Sequence, residues 1–245
     1  MWRGKTISVV FSTYRERASI RRAIEDFFST GFVDEVIVVN NNAEPGTDEE
    51  VRMTRAKLIH EPRQGYGHGY QAGIRAASGD YVVLCEPDGT FAASDLERFL
   101  VYAKDFDIVL GSRCGQSTPL SGANMGVARK FANVFEAKTI EVFFNTNALT
   151  DIGCTYKLFR REALTLLTPL WRTTNSLFAT ELVLLTVSEN LHFIEIPVTF
   201  RKRVGESTTI NSSYKLVKWA ILIQLFIIRF WFRWITQSLW RRMRR

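Results

Sequence analysis

Negative charge is missing from the last 34 residues. Residues 212–245 hold eight Lys and Arg (Lys215, Lys218, Arg229, Arg233, Arg241, Arg242, Arg244, Arg245) and no Asp or Glu. The other 24 basic residues face 25 acidic ones, so the whole net charge of +7 belongs to the tail. A nucleic-acid binder would carry its basic face on the folded body, so that class is excluded. Cysteine is scarce too: Cys85, Cys114 and Cys154 are odd in number and lack metal-like spacing. They read as reduced thiols of a cytoplasmic protein, with neither a disulfide framework nor a zinc site. His60, His68 and His192 form no metal spacing either. The N-terminus MWRGKTISVVFSTY has no long apolar run followed by small residues, so no signal peptide is expected. Walker and G-x-S-x-G motifs are absent, and no glycine-rich fingerprint follows the first apolar run.

What is present is the profile of a globular chain: 245 residues, 46% hydrophobic and 23% charged. Apolar runs at Ile7–Phe11, Glu35–Val39, Lys57–His60, Tyr81–Leu84 and Asp107–Leu110 end in polar loops and alternate with helical segments. This alternation predicts an α/β fold with a doubly wound, mostly parallel sheet. Ligands of such sheets bind at the carboxyl ends of the strands. Pro and Gly are absent from Tyr214 to Trp240, so one long helix is expected there, roughly 40 Å in length. Its most apolar part, Trp219–Ile228, is too short for a ~30 Å hydrocarbon core. Arg229, Arg233, Gln237 and Arg241 make a polar stripe opposite Phe226, Phe230 and Trp234. The expectation is an amphipathic helix lying on an anionic membrane surface.

One strand ends in acid. In Val82-Val83-Leu84-Cys85-Glu86-Pro87-Asp88-Gly89 the carboxylates sit two residues apart, so both can converge on one point. Pro87 restricts the backbone and Gly89 permits a sharp exit. Such a pair suits a hard divalent cation, Mg²⁺ or Mn²⁺, although an isolated E-P-D would also serve as a solvated turn.

The surrounding stretches decide between these. Ile7–Glu16, VVNNNAEPGT (38–47), RQGYGHGYQAGIRAASGDYVV (63–83), E-P-D (86–88), Gly111-Ser112-Arg113, DIGCTYKLFRR (151–161) and Phe200–Ser207 stand in the order of the motifs of family 2 glycosyltransferases. The chain resembles that family, of GT-A fold, and its dolichyl-phosphate mannose synthase and polyprenyl-phosphate glycosyltransferase branch in particular. The pattern departs from the family at Ser12, Arg15, the Asn40-Asn41 pair, Glu86 and Lys157.

The resemblance implies transfer of a sugar, with inversion, from a GDP- or UDP-hexose to a polyprenyl phosphate at the cytoplasmic face of the membrane. A saccharide hydroxyl acceptor in cell-envelope glycan synthesis, or nucleotide-sugar binding without catalysis, stays open. It implies a nucleotide-sugar half (1–115), an acceptor half (116–211) and a basic aromatic helix and tail (212–245). By the same resemblance Ser12, Tyr14, Glu16, Val39, Asn40, Asn41, Gly69 and Glu86 seat the nucleotide. Glu86, Asp88 and Thr90 hold the metal. Arg113 adds positive charge at the diphosphate, and Arg129, Lys157, Arg201, Arg203 and Ser207 grip the acceptor phosphate. A hydroxyl acceptor would need a base, for which Glu181 and Asp151 are the candidates.

Overall fold

The computed structural model describes residues 1–114, 126–146, 148–204 and 213–243. Ser207 lies outside them. The chain runs β1 (Ile7–Thr13), α1 (Arg17–Ser29), β2 (Glu35–Asn40), α2 (Thr47–Arg52), β3 (Lys57–His60), α3 (Tyr66–Ala76), β4 (Tyr81–Cys85) and α4 (Leu96–Tyr102). It continues through β5 (Ile108–Ser112), α5 (Val127–Phe144), β6 (Lys157–Arg160), α6 (Arg161–Leu167), α7 (Phe178–Ser188), β7 (Phe193–Pro197) and α8 (Ser213–Met243).

The seven strands form one sheet in the order β3-β2-β1-β4-β6-β5-β7, with β6 antiparallel to both neighbours and the other pairings parallel. The expected doubly wound, mostly parallel sheet is therefore present. Because side chains alternate along a strand, β1 sends Ile7, Val9 and Phe11 to one face and Val10 to the other. The first face is covered by α1 and α4 through Ile20, Ile24, Phe27, Leu96 and Phe99. The second is covered by α3, α5, α6 and α7. Strand runs apolar on both faces are what a sandwiched sheet requires, and this is why they read as continuous grease.

The long helix differs from expectation in what it turns inward. Ile227 is fully buried in the second core, and Phe226 and Phe230 pack against that core. The Trp231 indole donates to the Phe143 carbonyl at 2.8 Å, and that of Trp234 to the Ser188 carbonyl at 3.3 Å. The aromatic side expected to meet lipid is docked on α5 and α7 instead. Among the described side chains, α8 leaves Tyr214, Val217, Ile221, Leu222, Leu225 and Phe232 exposed. Among the described residues no helix is long and apolar enough to cross a membrane.

Candidate active site

β1, β2 and β4 lie side by side and parallel, so their carboxyl ends deliver Ser12–Glu16, Asn40–Asn41 and Glu86–Asp88 to one edge of the sheet. Gly89 takes φ +77°, the left-handed turn that lets the chain leave immediately after the acids. Asp88 is fully buried. Its Oδ1 accepts from the Thr90 amide at 2.9 Å and the Thr90 hydroxyl at 2.5 Å. Its Oδ2 receives no hydrogen bond but lies 2.6 Å from the Arg203 guanidinium, an ion pair without hydrogen-bond alignment. Glu86 accepts from the Thr155 hydroxyl at 2.9 Å and from Arg203 at 3.0 Å. Burial, then the neighbouring Asp88, push the Glu86 carboxyl up, against the opposing pull of Arg203.

Two chambers meet at this point. One is lined by Ser12, Thr13, Tyr14, Glu16, Asn41 and Pro87. The other is lined by Arg113, Arg129, Asn133 and Glu136, with an apolar wall of Leu216, Trp219, Ala220 and Ile223 from α8. Tyr66, Glu86, Ser176 and Arg203 border both. Arg113 is fixed by a two-pronged pair with Asp151, at 2.7 and 2.9 Å, and its amide adds a third contact at 2.9 Å. Asn133 donates to the same carboxylate at 3.0 Å. Burial alone would raise the Asp151 carboxyl, but Arg113 overcomes it and holds the group below its ordinary range. The Arg129 guanidinium is shifted down, by burial first and then by the positive fields of Arg113 and Arg203. Three cations therefore converge on one chamber.

The model of Glycosyl transferase family 2 matches residues 8–167, well over half of the chain. The chain belongs to that family. Curated relatives of this glycosyltransferase include the dolichyl-phosphate hexose transferase of Haloferax volcanii, 25% identical, with 82% of this chain and 85% of the relative covered. The low-salt glycan biosynthesis hexosyltransferase Agl6 of the same organism is 27% identical over 82% of this chain and 49% of its own length. The dolichyl-phosphate beta-glucosyltransferase ALG5C of Trichomonas vaginalis is 28% identical over 84% of this chain and 63% of its own. The chain thus spans about half of one of these relatives and under two thirds of another. Among solved structures, glucosyl-3-phosphoglycerate synthase from Mycobacterium tuberculosis, bound to Mn²⁺, UDP and phosphoglyceric acid, superposes with a TM-score of 0.70. It is 17% identical, covering 93% of this chain and 79% of that one, and establishes the shared fold.

Several residues of the glycosyltransferase lie elsewhere than the motifs implied. Glu181 is buried on α7, where Oε1 accepts from the Arg172 amide and Oε2 from the Thr173 amide and hydroxyl, at 3.0, 2.9 and 2.6 Å. It ties down the 172–173 loop and lines neither chamber, so it is not placed as a base. Asp151 is equally engaged, with both oxygens given to Arg113 and Asn133. Lys157 is buried in β6, where its ammonium donates to the Cys154 carbonyl, and it does not reach the acceptor chamber. Arg201 lines a separate groove beside α1, behind Gly89 and Phe91. Val39 is core.

On the donor side Asn40 is used by Asp48 and the Ala43 amide. Asn41 donates to the Glu61 and Arg63 carbonyls and accepts from the Gly65 amide, so it holds the adjoining loop while lining the chamber. Glu16 gathers the Thr13 hydroxyl and the Tyr14 and Arg15 amides. Gly69 is where α3 presses on β1: a Cβ there would stand 2.0 Å from Ser12 Oγ. Tyr66, Thr155, Asn133 and Glu136 were not singled out from sequence. The last two had a signal, since Arg129, Asn133 and Glu136 recur on successive turns of one helix face.

The donor set fits a divalent cation. Asp88 Oδ2 is a buried carboxylate oxygen with no hydrogen-bond donor, held beside a second carboxylate. Among the described residues no group of three or more His, Cys, Asp or Glu gathers. Two carboxylates would therefore share such an ion with water or diphosphate oxygens, the usual manner for Mg²⁺ and Mn²⁺.

Proposed function

We propose that this glycosyltransferase moves a hexose from a GDP- or UDP-sugar to a polyprenyl phosphate at the cytoplasmic membrane face, with inversion. The observation that carries this is the second chamber, where three guanidiniums face an apolar wall from α8. An anion with a greasy tail matches both halves at once. Residues 1–115 supply the donor side, 116–211 most of the acceptor side, and 212–245 the lipid-facing helix. The curated relatives named for dolichyl-phosphate transfer support the acceptor class.

Bound between Glu86 and Asp88, Mg²⁺ or Mn²⁺ would neutralise charge growing on the departing diphosphate. The chain's own groups do the rest. Arg203 lines this chamber with Arg113 and Arg129, and the three guanidiniums supply charge-assisted donors to phosphate oxygens. An acceptor phosphate oxygen attacks the anomeric carbon as the bond from that carbon to the β-phosphate oxygen breaks, releasing the nucleoside diphosphate. The nucleophile is already anionic, so no base is required. This accords with Glu181 and Asp151 both being engaged by structural partners.

The membrane surface is met by exposed apolar residues of two helices. Val217, Ile221, Leu222 and Leu225 of α8 are exposed beside Lys215 and Lys218. On α5, Phe131 and Phe135 are 72% and 55% exposed and stack on each other. Apolar rings and lysines together suit an anionic bilayer.

The test is incubation with Mn²⁺, polyprenyl phosphate and a panel of UDP-, GDP- and dTDP-sugars. Formation of a glycosyl phospholipid is expected. Efficient transfer to saccharide hydroxyls with none to lipid phosphate would overturn the acceptor, and nucleotide-sugar binding without any transfer would overturn catalysis.

A further inference from the structure

Among the described residues of the acceptor chamber, Glu136 is the carboxylate whose role is unexplained. It is 2% exposed, and its Oε2 has no hydrogen-bond partner among the described residues. It caps no turn and ties no loop, unlike Glu181 and Asp151. Helical side chains lean toward the N-terminus, so the Glu136 carboxyl lies over the turn bearing Asn133. Asn133 in turn holds Asp151, which holds Arg113. A polar group without a protein partner, set in the chamber that Arg113, Arg129 and Arg203 also line, is built for a ligand.

We infer that Glu136 is an acceptor-binding residue, which as a neutral acid donates its O–H to a phosphate oxygen of the acceptor. This rests on the polyprenyl-phosphate reading above. Burial first, and then the field of Asp151, push the Glu136 carboxyl up to about 8, which keeps the proton in place at neutral pH. Arg129 shares its helix face, and Arg113, Arg203 and Glu86 line the same chamber. From the packed helices, α7 contributes only Glu181, engaged at the 172–173 loop. Among the described side chains of α8, the cations are Lys215 and Lys218 near its start and the exposed Arg229 and Arg233 further on. A neutral acid adds a donor without adding negative charge where an anion must enter; its ionised form would repel that anion.

The experiment measures acceptor KM, donor KM and kcat for the wild type, Glu136→Gln and Glu136→Leu from pH 6.5 to 9, with polyprenyl phosphate. Glutamine also donates, so E136Q is expected to keep acceptor KM within about threefold of the wild type at pH 7. E136L is expected to raise acceptor KM about tenfold at unchanged donor KM, which also reports a folded protein. From pH 7 to 9 the wild-type acceptor KM is expected to rise about tenfold as the acid ionises, while E136Q stays flat. Loss of turnover in E136Q would make Glu136 a base and overturn the inference. So would acceptor kinetics indifferent to residue 136 at every pH. Transfer by all forms to saccharide hydroxyls, and by none to prenyl phosphate, would overturn this inference together with the function it rests on.

Discussion

Replacing Glu136 by Gln removes a buried ionisation while preserving shape, and the stability change should carry a distinctive pH signature. The Glu136 carboxyl is raised from 4.5 to about 8 in the native state. Between those values the native protein holds a proton that the unfolded chain has released, so stability falls as pH rises. The slope is about 1.4 kcal/mol per pH unit for one proton. At pH 7 the accumulated cost is about 3 kcal/mol, and above pH 8 it levels off at an upper bound of about 5 kcal/mol. The Gln variant has no such proton. Its advantage over the wild type should therefore grow steadily from pH 5 to 8 and flatten above. Urea unfolding followed by tryptophan fluorescence at half-unit pH steps measures the difference directly. A difference independent of pH would mean that Glu136 titrates normally, and the reasoning about its burial would be refuted.

Gly69→Ala should lose about 1–3 kcal/mol, because the new methyl meets Ser12 Oγ and Cβ at 2.0 and 2.9 Å. Adding Ser12→Gly should recover much of the loss in a thermal melt. Glu181→Gln should lower stability by about 1–3 kcal/mol through the unpaired 172–173 loop. Its kcat should remain within a few-fold, whereas a general base would lose about 10²–10⁴. Asp151→Ala leaves Arg113 buried without its partner and should cost about 3–5 kcal/mol by denaturant unfolding. Cosedimentation with vesicles containing anionic lipid should weaken with added salt and fall further in Lys215→Glu/Lys218→Glu, each lysine being worth about 1 kcal/mol.

The sheet and the acidic strand end were legible because they depend on local signals. Apolar alternation, the Pro87 and Gly89 punctuation and the two-residue spacing of Glu86 and Asp88 all act within one short segment. What escaped was set by contacts between distant segments. Nothing near Glu181 announces that the 172–173 backbone will claim both its oxygens. Nothing near Lys157 shows that β6 will be inserted antiparallel between β4 and β5, with that lysine held inside. The helical period of α8 was visible, but its inward side was not. Trp231 and Trp234 face the body because the Phe143 and Ser188 carbonyls, at the ends of α5 and α7, need donors there. The same holds for Arg203, whose place across Glu86 and Asp88 is fixed by backbone pairing of Arg201 with Thr90 and Val204 with Asp88.

The most direct test of the account compares sugar transfer to polyprenyl phosphate by the wild type and Asp88→Ala across a Mn²⁺ titration. The wild type should require the metal, and the variant should lose at least about 10²-fold in turnover together with metal-dependent nucleoside diphosphate binding. Turnover and metal-dependent binding that both survive the loss of Asp88 would contradict it.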